Sequence, residues 1–322
     1  MARGETCVMP DNYEMSDISR ILNILLREWD RSVEKHAAAG VDSSVLSQDM
    51  IIGRRLGWSE ATVQTTRTVS FLTGASVVQM ARSVSALFES TEKYGLTFGH
   101  VPLVRSIYEG AGQVKWILAD DDDLYANAVL TLDVEESERR CRRRAARGVL
   151  TTAANWQQCL ADARFQKDDA MELDALERLE ELQTRAGSEV AEITKSKDDK
   201  WRMLGISRPG ARKFGEMGWQ QAWWPEQLDW HVYGYVCAVS HHNLYPLAAT
   251  LTHTTSNGQD VLKVGPPQLE VFAGGLFVTY AVYRMIALLF SYLEWPIDGM
   301  SEAFTLMTMA NTMIQDSSEL RD

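Results

Sequence analysis

An apolar run from Val271 to Leu293, VFAGGLFVTYAVYRMIALLFSYL, leaves this chain two places to put it: across a bilayer or through the middle of a helical core. Its length satisfies a membrane span. Arg284, past the midpoint, argues the other way, because arginine near the centre of a membrane helix costs roughly 2.5–3.5 kcal/mol on insertion scales. Glu270 and Glu294 flank the run, and neither end is basic. The expectation is a buried core helix wrapped by other helices, without membrane contact.

The rest of the chain supplies the wrapping. Apolar periodicity predicts helices over 15–37, 59–93, 101–119, 123–131, 134–164, 168–197, 226–252, 268–294 and 300–316, with no β alternation of useful length between them. The expected fold class is all-α, a multi-helix bundle with a protruding charged helical hairpin. Pro102 suits the first turn of its helix, while Gly40 and Pro296 follow helix ends. Residues 1–58 read as an N-terminal helical segment and 59–322 as the bundle. Within it, 134–198 forms a long hairpin insertion with apolar positions at Leu173, Leu176, Leu179, Leu182, Ala186, Val190 and Ile193. Its dense charges read as a solvated face, and the hairpin offers a surface for a homodimer.

Composition narrows the function classes. A hydrophobic content of 45% with 10 Trp supports a substantial core. The net charge of -12 argues against a nonspecific nucleic-acid or anionic-membrane binder, which needs a broad basic surface. Cys7, Cys141, Cys159 and Cys237 lack CxxC or other metal-ligand spacing and fit reduced thiols. The N-terminus lacks the apolar stretch of a secretory signal, so a cytoplasmic location is expected.

Polar chemistry concentrates in a few places. In the helix around Gly99–Leu118, Val104, Ile107, Tyr108, Ala111, Val114 and Leu118 share one side, whereas Arg105, Glu109, Gly112, Gln113 and Trp116 share the other. A Trp among charges implies cover on both faces, which makes Arg105 and Glu109 candidates for a partly buried polar centre. Arg284 needs a partner inside its apolar run, and Glu109 is the expected one, as a structural ion pair. The segment Tyr233–Pro246 gathers Tyr235, Ser240, His241, His242 and Asn243 near one helical end. There a histidine can serve as general acid or base, with Arg105 holding an anion and Glu109 orienting either partner. The same pair of histidines also fits a hydrogen-bonded capping role.

The stretch Trp201–Trp224 loses periodicity, and two roles fit it: an irregular connection anchored by Trp201, Trp219, Trp223 and Trp224, or a lid over a small-molecule pocket in which Trp223 and Trp224 touch ligand. The run Arg139–Arg147 is the dense basic patch of this acidic chain. It suits RNA phosphates, or pairing with nearby acids such as Glu135, Glu136 and Glu138. His231, His242 and His253 recur every eleven residues, but three helical turns place neighbours about 16 Å apart, too far for one metal ion. No metal and no cofactor is expected, and no glycine-rich phosphate cradle or nucleophile elbow is present.

The order RSIYEGAGQVKWIL, an Arg-rich helix and YVCAVSHH resembles a group of uncharacterised bacterial all-helical proteins with an RxxxE helix and a late Tyr/Ser/His segment. Arg105 and Glu109 match the first element, Arg139–Arg144 the second, and Tyr235, Ser240 and His242 approximate the third. More distantly the arrangement is similar to HEPN-like helical bundles, some of which are dimeric ribonucleases of toxin and phage-defence systems. That resemblance implies a nuclease or hydrolase with Arg105, Glu109, His241 and His242 as catalytic residues and Tyr235 and Ser240 in contact with substrate. The arginine that precedes the histidine by a few residues in those enzymes has no counterpart before His241 or His242. The alternative is a noncatalytic interaction or regulatory protein whose Arg/Glu/His centre fixes helix packing.

Overall fold

The computed structural model describes residues 15–37, 45–90, 100–118, 134–193, 251–256, 259–264, 268–293 and 295–319. They form an all-α bundle: α1 (Met15–Ala37), α2 (Val45–Arg55), α3 (Glu60–Glu89), α4 (Val101–Leu118), α5 (Val134–Gln166), α6 (Asp169–Ile193), α7 (Gln268–Leu293) and α8 (Ser301–Glu319). A two-stranded antiparallel hairpin, β1 (Leu251–Ser256) with β2 (Gln259–Val264), precedes α7, with Leu251 opposite Val264 and Ser256 opposite Gln259. The end of the helix expected over 226–252 is therefore strand. Asn257-Gly258 between the strands is the sequence signal for it, since both residues tolerate the positive φ of a tight hairpin turn.

Helix α7 is the axis of the core. Leu276, Phe277, Val278, Ala281, Val282 and Ile286 are among its buried residues, and between 274 and 293 Tyr280, Tyr283 and Arg284 are the residues that are not fully buried. It and α3 are long and apolar enough to cross a membrane, but α7 spends that apolar surface on other helices. Helix α1 contributes Ile18, Ile21, Leu22, Leu25 and Trp29, an i, i+3, i+4, i+7, i+11 stripe, to the same core. Trp29 stacks on Phe71 of α3 at 5.5 Å between centroids and on Phe290 of α7 at 5.8 Å. From α4, all six expected apolar residues are buried, and Tyr108 meets Phe277 at 4.0 Å. At about 1.5–3 kcal/mol for each large side chain buried, this stripe is what seats α4.

Helix α2 escaped the periodicity reading because it is short and turns Ile51, 64% exposed, toward solvent. It ends where Gly57, at φ 75°, lets the Trp58 N–H reach the Gly53 carbonyl at 2.8 Å and its own N–H reach the Arg54 carbonyl at 3.1 Å. This turn aims Trp58 inward and starts α3 in a new direction.

The hairpin of α5 and α6 divides at Thr151. Before it, Cys141, Arg144, Ala145, Ala146 and Val149 are buried against the bundle; beyond it, Ala163 is the buried apolar residue of α5. Ala163 and Ala175, each 0% exposed, replace the leucines as the close-packed positions of the hairpin. Leu173 and Leu176, expected in the apolar seam, instead face outward at 59% and 42% exposure. The reversal at the tip sets that register: Asp168 accepts the Met171 N–H at 3.0 Å as N-cap of α6, and its own N–H reaches the Ala163 carbonyl at 2.9 Å.

Candidate functional site

Arg105 and Glu109 lie one turn apart on α4, and Arg105 Nε donates to Glu109 Oε1 at 2.8 Å. Each side chain is 27% exposed, so the pair is half-covered, as the Trp among those charges implied. Glu109 thus pairs within its own helix, where i, i+4 geometry costs no rearrangement, rather than across the core with Arg284. Arg284 sits on α7 near Tyr280, whose hydroxyl hydrogen-bonds Thr308 of α8. Burial pushes the Tyr280 phenol up, and Thr308 and the Arg284 charge oppose that shift. His241, His242, Tyr235, Ser240, Trp223 and Trp224 lie outside the described residues. His253 falls in β1, so a helical face carrying three histidines through that position does not form. Among the described residues no cluster of His, Cys, Asp and Glu could hold a metal ion.

The deepest polar centre lies elsewhere, between α2 and α5. Asp49 and Arg144 form a two-pronged pair, Nε to Oδ2 at 2.8 Å and Nη2 to Oδ1 at 2.6 Å, with side chains 3% and 9% exposed. Burial works against the Arg144 cation, but the Asp49 carboxylate more than offsets it and keeps the guanidinium charged. Around this pair, Cys141 donates its thiol to the Asp49 carbonyl at 3.6 Å, and Thr66 of α3 donates to the Arg144 carbonyl at 3.2 Å. Burial, then the Asp49 charge, pushes the Cys141 thiol far above its ordinary range, so it is not a nucleophile. The Tyr292 hydroxyl of α7 is buried without a hydrogen bond, and its burial and the nearby Asp49 charge keep the phenol protonated. Gly148 permits the approach of α5 to α3: a Cβ there would stand 2.7 Å from Thr66 Cα. The chemistry available to this centre is structural, because the carboxylate is held by both prongs of an arginine and the thiol and phenol stay protonated.

Other arginines of the run hold partners nearer the surface. Arg139 and Arg140 both hold Glu136, at 2.6 and 2.9 Å. Hydrogen bonds from these two guanidiniums take the Glu136 carboxyl down to about 2. Arg55 pairs with Glu138, Arg142 lies 5.6 Å over the Trp58 ring, and Arg147 donates to the Trp116 carbonyl at 2.6 Å while covering the Trp116 ring at 5.1 Å. Pairing with nearby acids, one of the two uses the sequence allowed, is seen here for Arg139 and Arg140, while Arg142 and Arg147 rest on tryptophans. Asp49 was the residue sequence reasoning missed, since it sits on the short helix with no visible stripe.

The hairpin tip carries the most exposed large apolar side chain among the described residues. Phe165 is 90% exposed at the end of α5, and Leu173 and Leu176 follow on α6. Near its base, Arg178, Glu181 and Leu182 of α6 close a cavity of about 160 Å³ with Thr62 and Thr65 of α3 and Trp156 of α5. No protein-family model, curated protein or solved structure matches this chain.

Proposed function

We propose that this chain is a noncatalytic helical interaction protein of the cytoplasm, in which the α5–α6 hairpin carries the contact with a partner or with a second copy. The observation that carries this reading is Phe165 at 90% exposure on the tip, with Leu173 and Leu176 also outward. Large apolar side chains on a projecting element leave burial energy unused, and such surface marks sites of association. Two further observations support it: the Asp49–Arg144 centre is sealed, and Arg105 is held by its own helix neighbour.

The test places a photo-crosslinking amino acid at Phe165 in living cells, with Gln158 on the same helix as the control position. Strong adducts at 165 and few at 158 are expected, and equal labelling rejects the hairpin as an interface. The HEPN-like ribonuclease reading gives the opposite outcome in a second assay. RNA cleavage by the purified chain, abolished in His242→Ala at an unchanged melting temperature, would overturn the noncatalytic assignment.

A further inference from the structure

The packing of α1 on α3 leaves an open groove of about 510 Å³, lined among others by Ser19, Arg20, Asn23, Arg27, Arg82 and Glu89. Its volume lies within the ordinary range for small-ligand sites. Arg20, Asn23 and Arg27 recur at i, i+3 and i+7, so they share one face of α1. Arg82 and Glu89, two turns apart on α3, stand about 10 Å from each other along the facing wall. The two helices run antiparallel here, because Asp30 meets Arg82 while Ser19 and Asn23 meet Glu89. Arg27 and Arg82, with Asp30, therefore stand toward one end of the groove, and Glu89, with Arg20, toward the other.

The hydrogen bonding leaves each end with donor or acceptor atoms of defined chemistry. Arg27 uses its Nε on the Asn23 carbonyl at 3.3 Å, and no carboxylate pairs with it among the described residues. Arg82 commits one nitrogen to Asp30 at 2.5 Å in a solvent-exposed pair, which leaves donors of its five N–H groups for a second anion. At the other end, Glu89 Oε1 accepts from Ser19 at 2.9 Å and from Asn23 at 2.8 Å, while a buried Ser19–Ser85 contact of 2.7 Å fixes the floor. Glu89 Oε2 takes no described donor and suits a ligand hydroxyl. Arg20 pairs with Glu302 at 3.4 Å and Arg82 with Asp30, so the three guanidiniums face three carboxylates with Glu89 counted, and Arg27 is the one that no carboxylate holds among the described residues.

We infer that this groove binds a small sugar phosphate, with the phosphate between Arg27 and Arg82 and the sugar hydroxyls turned toward Glu89. Guanidinium forks match phosphate oxygens, and a carboxylate accepts from hydroxyls, so the polarity of the groove fixes the ligand's direction. The site is separate from the hairpin and does not depend on its role.

Calorimetric titration at low ionic strength with glucose 6-phosphate, inorganic phosphate and glucose tests the inference. Glucose 6-phosphate is expected to bind at least about tenfold more tightly than inorganic phosphate, and glucose not to bind. Arg27→Ala, which breaks no ion pair, is expected to weaken glucose 6-phosphate by about tenfold without moving the melting temperature. Glu89→Gln should erase the preference for the sugar phosphate over phosphate alone. No binding up to about 10 mM, or equal affinity in wild type and Arg27→Ala, overturns the site. Equal affinity for glucose 6-phosphate and inorganic phosphate in the wild type overturns the assignment of a sugar.

Discussion

Two arginine–carboxylate pairs in this molecule look alike on paper and behave differently. Arg105 and Glu109 are joined by a hydrogen bond along one helix, with a quarter of each side chain in water; Arg144–Asp49 is a fork that joins two helices, with almost nothing exposed. A half-covered i, i+4 pair keeps part of its hydration and contributes a few tenths of a kcal/mol. A buried pair has given up hydration on both sides, so each ion depends on the other. The lesson is that depth and connectivity, rather than residue type, decide which polar pair governs folding.

Breaking the buried pair is expected to have the largest effect. Asp49→Ala or Arg144→Ala should each lower the unfolding free energy by about 3–5 kcal/mol in denaturant titrations, because the surviving charge is stranded. Replacing both at once, as Asp49→Leu with Arg144→Met, should recover most of that loss, since an apolar pair of similar volume is often neutral or better. If the double variant is as unstable as the singles, the fork is not the reason for the cost.

The half-exposed pair supplies the other side of the contrast. Arg105→Ala should change stability by no more than about 0.5 kcal/mol, and raising the salt concentration should shrink that difference further. A loss near that of Arg144→Ala would mean that Arg105 supports something beyond its own helix.

Glu136 sharpens the contrast through pH. Its carboxyl titrates near 2 in the folded protein, below the ordinary carboxylate range, because Arg139 and Arg140 donate to its charged form. A lowered folded value means that its contribution is present above the unfolded value and is lost as pH falls from the ordinary carboxylate range toward 2. Carboxyl NMR titration should place the midpoint near 2, and Arg139→Gln should move it upward. A midpoint unchanged by that substitution would remove the guanidinium as the cause.

Much of the architecture was readable because helical periodicity is a local property. The stripe of α4, the burial of α7 and the existence of the α5–α6 hairpin all follow from apolar spacing. The register inside that hairpin did not. Leucine spacing suggested a leucine seam, yet Ala163 and Ala175 occupy the tight positions because the reversal at Asp168 rotates α6. The β hairpin was missed by counting alternation, although Asn257-Gly258 announced it. Sequence predicted a polar centre at Arg105 and Glu109, since a Trp among charges implies cover. It could not find Asp49, whose helix has a weak pattern and whose partner lies 95 positions away.

The amino-acid order alone determined that this chain forms long helices, which faces are apolar, and that the arginine run has acids within reach. Those are consequences of backbone hydrogen bonding and side-chain spacing over a few turns. Tertiary structure decided which carboxylate each arginine holds, which leucines face solvent, and where two helices leave a groove lined by three arginines. Such choices depend on desolvation and on distances between elements remote in sequence, quantities that exist only after the helices have packed.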